Sequence, residues 1–325
     1  MNNRTKGIIA ILLSAFGFAL MNLFIPLAGN LPTIQKSFFR NLIAFLVAFA
    51  VLLKSNKKEE VKELHDVKSI PWKTLILRAS LGTAGIFCNY YALDHLFISD
   101  ASVLNKLAPF ATLILSWIFL KEDLRKEHII SILIAFVGVL FVVKPTLQIH
   151  EILPYLIGIL GGVCAGGAYT CVRKLNTLGV NSSFIVAFFS GFSCLVCVPF
   201  MIFNFVPMGT SSILALIGVG LAALIGQFGI TLAYKFAPAS EISVFDYSTI
   251  IFTGLFGFLF LHQIPDYLSI IGYVLIFSGA LINFINNRRK QRMLINEKIA
   301  RDLIWTPKSG IRMEGFLYAK IYKRI

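Results

Sequence analysis

Residues 92–140, ALDHLFISDASVLNKLAPFATLILSWIFLKEDLRKEHIISILIAFVGVL, return as residues 233–281, AYKFAPASEISVFDYSTIIFTGLFGFLFLHQIPDYLSIIGYVLIFSGAL, when 141 is added to each number and no gap is opened. Matched Leu and Ile count for little in an apolar sequence. More telling are Ser99 on Ser240, Ser102 on Ser243, Thr112 on Thr253, Phe119-Leu120 on Phe260-Leu261 and Gly138 on Gly279, with Asp100 meeting Glu241. These positions and the absence of gaps mark an internal duplication, the first thing to seek in a sequence. In a membrane protein, a repeated multi-helix block points to a transporter.

The class follows from composition. Of 325 residues, 57% are hydrophobic and 14% charged, with a mean hydropathy of +0.79. A soluble domain is about half apolar and about a quarter charged. Apolar runs of about 18 or more residues, each long enough to cross a bilayer, follow one another with short breaks, and polar helix faces are missing. The chain therefore reads as an all-α integral membrane protein. Cys88, Cys164, Cys171, Cys194 and Cys197 all fall inside predicted spans, where a thiol serves as a small packing residue. Without a His cluster beside them, neither a metal nor a cofactor is expected.

Ten spans are predicted: about 7–27, 38–53, 74–93, 101–120, one ending near 143, then 153–172, 183–205, 211–234, 241–261 and 267–285. Arg4 and Lys6 resemble a signal-peptide start, but the apolar run behind them is too long and no small-residue cleavage site follows. The second span is short unless it borrows residues from its outer loop. Cytoplasmic segments hold an excess of Lys and Arg. With the N-terminus in the cytoplasm, 25 of the 30 Lys and Arg lie on that side, and the outer loops hold only Lys36 and Lys144. Both termini are accordingly expected in the cytoplasm. This placement also accounts for the net charge of +14 without a nucleic-acid partner. A unit of five spans is odd, so the second copy enters the membrane upside down. Inverted repeats of this kind place a substrate site near the midplane between the halves. After the last span comes a basic tail, read as an irregular cytosolic extension or as a segment lying on anionic lipid.

Several stretches carry a family resemblance: Phe39-Arg40-Asn41; Tyr91-Ala92-Leu93 with Ala101-Ser102, Leu107-Ala108-Pro109-Phe110 and Phe119-Leu120-Lys121-Glu122; and Tyr247 with Phe260-Leu261, Ile264-Pro265-Asp266 and Gly272. In order and spacing the chain resembles the EamA-type members of the drug/metabolite transporter superfamily. The resemblance divides it into a first five-helix repeat at 5–145, a second, inverted one at 152–287 and a basic cytosolic tail at 288–325. One departure is His262-Gln263, where the second block usually carries Gly-Glu; no coupling acid is expected there. The resemblance implies a small-molecule substrate such as an amino acid, a nucleoside-like metabolite or a drug, while few cysteines and short loops suit a bacterial-type cytoplasmic (inner) membrane. Oligomeric state is not legible.

Charges in hydrocarbon are costly, about 2.5–3.5 kcal/mol at a helix centre on insertion scales, and need a reason. Arg78 lies about one turn inside the third span and reads as snorkelling to the surface. Arg40 lies near the outer end of the second span, and the family match gives it a candidate role. Lys106 sits deeper, and its repeat partner is Tyr247; beside it, Asn105 partners Asp246. These four make a pseudo-symmetric polar group on the two core helices. Lys106 and Asp246 are expected to pair across a cavity, where substrate or a proton competes for the pair; a purely structural ion pair is the other reading. Asp246 is the intramembrane carboxylate best placed for proton coupling. Asn22, Asn89, Tyr90, Tyr169 and Gln227 are further cavity candidates, each equally able to serve as an interhelical hydrogen-bonding group. Gly158, Gly162 and Gly166, spaced by four, predict a close helix crossing.

Three functions compete. A secondary transporter fits the duplication; no P-loop is present, so a proton or counter-solute gradient would drive it. A membrane-embedded lipid-modifying enzyme would need a nucleophile-base or metal cluster, and the chain has no HExxH, no GxSxG and no paired intramembrane aspartates. A non-transporting scaffold leaves the duplicated polar group unexplained. The transporter reading is preferred, with membrane lipid as its surroundings.

Overall fold

A computed structural model describes residues 2–55, 70–96, 104–144, 152–261 and 264–304. Among the described residues, ten long helices make two sets of five. The first set is α1 (Asn3–Leu27), α2 (Thr33–Ser55), α3 (Trp72–His95), α4 (Ala108–Leu120) and α5 (Lys126–Val143). The second is α6 (Ile152–Thr177), α7 (Ser182–Asn204), α8 (Thr210–Phe236), α9 (Ser248–Leu261) and α10 (Tyr267–Ile304). A one-turn helix, Ala239–Ile242, and a 3-10 turn, Ser243–Tyr247, lead into α9.

Packing obeys the duplication. α1 packs on α8 as α6 packs on α3, and α4 on α6 as α9 on α1, while α2 meets α7 and α5 meets α10 across a pseudo-two-fold axis. At the α5–α10 crossing, a Cβ on Gly138 would lie 2.6 Å from the Gly272 carbonyl oxygen, and one on Gly279 2.6 Å from that of Ser131. Adding 141 turns Gly138 into Gly279 and Ser131 into Gly272, so these are one contact seen twice. Gly158, Gly162 and Gly166 press on Leu104, Leu107, Ala108 and Ala111, the close crossing expected of them. Large apolar side chains point outward, among them Leu195 at 73% and Phe203 at 82% exposure on α7, a surface that suits lipid rather than water.

Eight of the spans are long and apolar enough to cross a membrane unaided. The other two are α3, which carries Arg78 and Asn89 into the bundle, and α4, which is only 13 residues long. Three expectations change. The second span begins at Thr33, because Gln35 exchanges two hydrogen bonds with the Val206 backbone, at 2.8 and 3.0 Å, and ties the helix start to the end of α7. The fourth and ninth spans are interrupted rather than continuous. Finally, α10 runs unbroken to Ile304, so the start of the basic tail is helical; no Gly or Pro interrupts 286–304, and Pro307 is the first breaker. Residues 305–325, including Trp305, lie outside the described residues, as do His262 and Gln263.

The helix ends opposite the chain's N-terminus are pinned where α5 meets α10. Lys144 ends α5 in a left-handed conformation (φ 49°) and pairs with Asp266. Asp266 in turn accepts from the Ser269 backbone N–H at 3.0 Å and hydroxyl at 2.8 Å, capping α10. The Lys144 ammonium, followed by the two Ser269 bonds, lowers the Asp266 carboxyl to about 2.

Candidate functional site

Both core helices break at the same place. Lys106 and Leu107 form a turn before α4, and Pro109 occupies its first turn, where a missing N–H costs nothing. In the second copy, Ser243–Tyr247 wind as a 3-10 turn before α9. Discontinuous helices free backbone groups at mid-membrane depth, as the binding sites of inverted-repeat transporters do.

The breaks meet on the pseudo-two-fold. The Tyr247 hydroxyl donates to the Lys106 carbonyl oxygen at 3.2 Å, a bond between a residue and its own repeat equivalent. Beside it, Lys106 Nζ lies 3.5 Å from Asp246 Oδ2, with both side chains at most 15% exposed. The pairing expected from the numbering is thus present in the geometry.

A cavity of about 510 Å³ opens around this pair, between the two halves. Arg40, Asn89, Asn105, Lys106, Tyr169, Gln227 and Asp246 line it, and so does Asn22. Tyr247 is fully buried behind it, acting on Lys106. Tyr90 belongs to α3, but its side chain lies outside the described residues. The reading of Arg78 as snorkelling is corrected. Its guanidinium is buried at 2% exposure, lies over the Phe189 ring at 4.1 Å, donates to Gln227 Oε1 at 3.4 Å and lines the cavity. Helix α3 packs against α6 and α7, so the side chain turns inward instead of toward the surface. Phe18, Thr249 and Tyr273 also line the cavity and were not foreseen; as apolar or ordinary helix residues, they carry no signal outside the fold.

Polar bonds, most of them between the halves, gather at one end of the bundle. Glu122 bridges Arg173 Nε at 2.7 Å and the Ala239 backbone N–H at 2.8 Å, and Arg173 also donates to the Tyr234 carbonyl oxygen at 2.9 Å. Arg4 pairs with Glu241 at 3.3 Å and donates to the Phe284 carbonyl oxygen. Arg125 and His128 converge on Asn287. All of these lie at the end of the bundle that holds the chain's N-terminus. Toward the other end, the cavity lining reaches Ile25, Val143 and Tyr273.

The EamA-like transporter family model matches residues 5–144 and again 152–285, almost all of the chain outside its tail. The chain belongs to the EamA-like transporter family. Among curated relatives, the pseudopaline exporter of Pseudomonas aeruginosa is 29% identical over 273 residues, spanning 83% of this chain and 93% of that one. An uncharacterised transporter of Helicobacter pylori is 26% identical, over 85% of this chain and 93% of its own length. Human solute carrier family 35 member G1 is 24% identical, over 82% and 75% respectively. A protein of known crystal structure superposes with a TM-score of 0.76 at 18% identity, over 88% of this chain and 98% of that chain, which shows a shared fold. This EamA-like chain is accordingly a multi-pass membrane transport protein of ten helices in two inverted repeats.

Proposed function

We propose that the chain is a secondary transporter that moves a small organic solute across a bacterial-type cytoplasmic membrane by alternating access, with both termini in the cytoplasm. The observation that carries this reading is the Lys106–Asp246 pair on the cavity wall, set where two broken helices meet on the pseudo-two-fold axis. In a symmetric pair of halves, the same helices rock between two arrangements around a fixed site. The bridges of Glu122–Arg173 and Arg4–Glu241 support a conformation closed toward the cytoplasm, given the positive-inside orientation. Arg40, Asn89, Tyr90, Asn105, Tyr169, Gln227 and Tyr247 form the binding and coupling surroundings in this proposal. Solute or a proton competes for the Asp246 carboxylate and loosens its hold on Lys106. The name of the Pseudomonas relative makes export the direction to test first.

The experiment is flux in reconstituted vesicles for the native chain and Asp246→Asn, across imposed pH gradients. Transport that depends on the gradient in the native chain and loses that dependence in the variant is the expected outcome. Unchanged flux and unchanged pH dependence in a folded Asp246→Asn protein would remove the carboxylate from the coupling step.

A further inference from the structure

The cavity carries a surplus of positive charge. Among the described residues, Arg40, Arg78 and Lys106 line it, against the single carboxylate of Asp246. Asp246 is committed to Lys106 at 3.5 Å. That leaves two guanidinium groups facing the same space without a lining carboxylate to answer them. Both residues are more than nine-tenths buried, Arg40 at 8% and Arg78 at 2% exposure. The Nε atom of each is buried and has no hydrogen-bond partner. The partial answer to Arg78 is neutral: the Gln227 side-chain oxygen at 3.4 Å and the face of Phe189. The two like charges also act on each other.

A buried cation without a counter-charge is expensive, and a buried donor left unpaired adds to the cost. A protein that tolerates two of them around one cavity gains when something supplies the missing charge. Guanidinium is the side chain whose planar fork matches an oxyanion two bonds at a time. Besides the amides of Asn22, Asn89, Asn105 and Gln227, the wall carries apolar and aromatic surfaces, from Phe18 and Phe189 to Tyr169 and Tyr273, which suit an organic body behind an anionic head.

We infer that the solute is an organic carboxylate, held at its charged end by Arg40 and Arg78. The inference rests on the transporter reading for the cavity's role and adds the substrate class to it. In this picture, the anion brings the cavity close to neutrality and the Lys106–Asp246 pair stays free to respond to a proton. Cationic drugs are repelled by the same field.

The test is ligand-dependent thermal stability of the full chain in detergent. The probes are aliphatic mono-, di- and tricarboxylates (acetate, succinate, citrate), amino acids, benzoate, inorganic phosphate, neutral nucleosides and tetraphenylphosphonium. A ligand that binds the native fold raises the apparent midpoint in step with its concentration. At least one organic carboxylate is expected to raise it, and tetraphenylphosphonium is not. Arg40→Gln and Arg78→Gln should each weaken that carboxylate by about tenfold or more, the loss of a charge-assisted pair. Should either fail to fold, Arg40→Lys and Arg78→Lys keep the charge and lose only the fork, and a smaller weakening is expected. The inference is overturned by a midpoint raised only by cations or neutral solutes, by phosphate alone, or by nothing in the panel. It is equally overturned by carboxylate binding that both arginine variants leave intact. Vesicle flux separates this from the transporter reading. Gradient-driven movement of a non-carboxylate leaves transport standing and sinks the anion. Arginine-dependent carboxylate binding with no flux of any probe does the reverse.

Discussion

Neutralising one member of the Lys106–Asp246 pair should cost far more than neutralising both. At the observed 3.5 Å, and with an effective dielectric of about 20, the attraction between the two charges is roughly 5 kcal/mol before desolvation. Desolvation offsets most of that, because both side chains are at most 15% exposed. Removing only Asp246 leaves an ammonium among Arg40, Arg78 and apolar walls with no counter-charge. The cost of breaking such a pair is roughly 3–5 kcal/mol. Asp246→Asn and Lys106→Gln should therefore each lower the thermal midpoint in detergent, and the double variant should recover much of the loss. Because the double variant is to cost less than either single one, the coupling energy of the cycle should be at least one single-variant loss, about 3–5 kcal/mol. Additive effects, or single variants as stable as the native chain, would refute the pairing and with it the electrostatic reasoning for the cavity.

Other outcomes follow from the same geometry. Gly138→Ala and Gly279→Ala should each destabilise by about 1–3 kcal/mol, because the added methyl meets the backbone of the facing helix at 2.6 Å, whereas Gly209→Ala, with nothing within 4 Å and an ordinary φ of −75°, should be nearly silent in the same melting assay. Glu122→Gln should destabilise the fold by roughly 3–5 kcal/mol, read as a lower melting midpoint, since one carboxylate answers both Arg173 and the Ala239 N–H in a largely buried place. Asp266 should make stability pH-dependent in acid: its carboxyl is lowered to about 2 in the fold, so its contribution is complete above the ordinary carboxylate range near 3.8 and fades as pH falls toward 2. Comparing Asp266→Asn with the native chain should show a stability gap at neutral pH that closes over that acid interval.

The duplication singled out the residues of one tertiary contact, though not the contact itself. Lys106 and Tyr247 are equivalent by number, and so are Asn105 and Asp246. Residues equivalent in an inverted repeat meet only where they approach the axis, and the bond between Tyr247 and Lys106 is such a meeting. The helix break at Lys106–Leu107 also had a signal, Pro109 in the first turn of α4. The matching turn at Ser243–Tyr247 had none, because Ile250 stands where Pro109 does in the first copy. Arg78 went the other way. Its distance from the end of the third span suggested a side chain reaching the surface, but the neighbours of α3 turned it toward Phe189 and Gln227.

By itself, the sequence determined the membrane class, the five-plus-five inverted plan, the order of the spans and the placing of Lys106 and Asp246 at neighbouring repeat positions on the two core helices. Those features rest on hydropathy over a bilayer's thickness and on a repeated register, both of which are properties of the linear chain. Only the tertiary structure decided which polar side chains share the cavity, that Lys106 and Asp246 meet on its wall, that Glu122 and Arg173 join the halves at one end of the bundle, and that, among the described residues, two arginines face the cavity with its one carboxylate already held by Lys106. The physical reason is that a helix's rotation and depth are set by what packs against it. Arg78 and Gln227 are 149 residues apart and become partners only when α3 and α8 are placed in the same bundle.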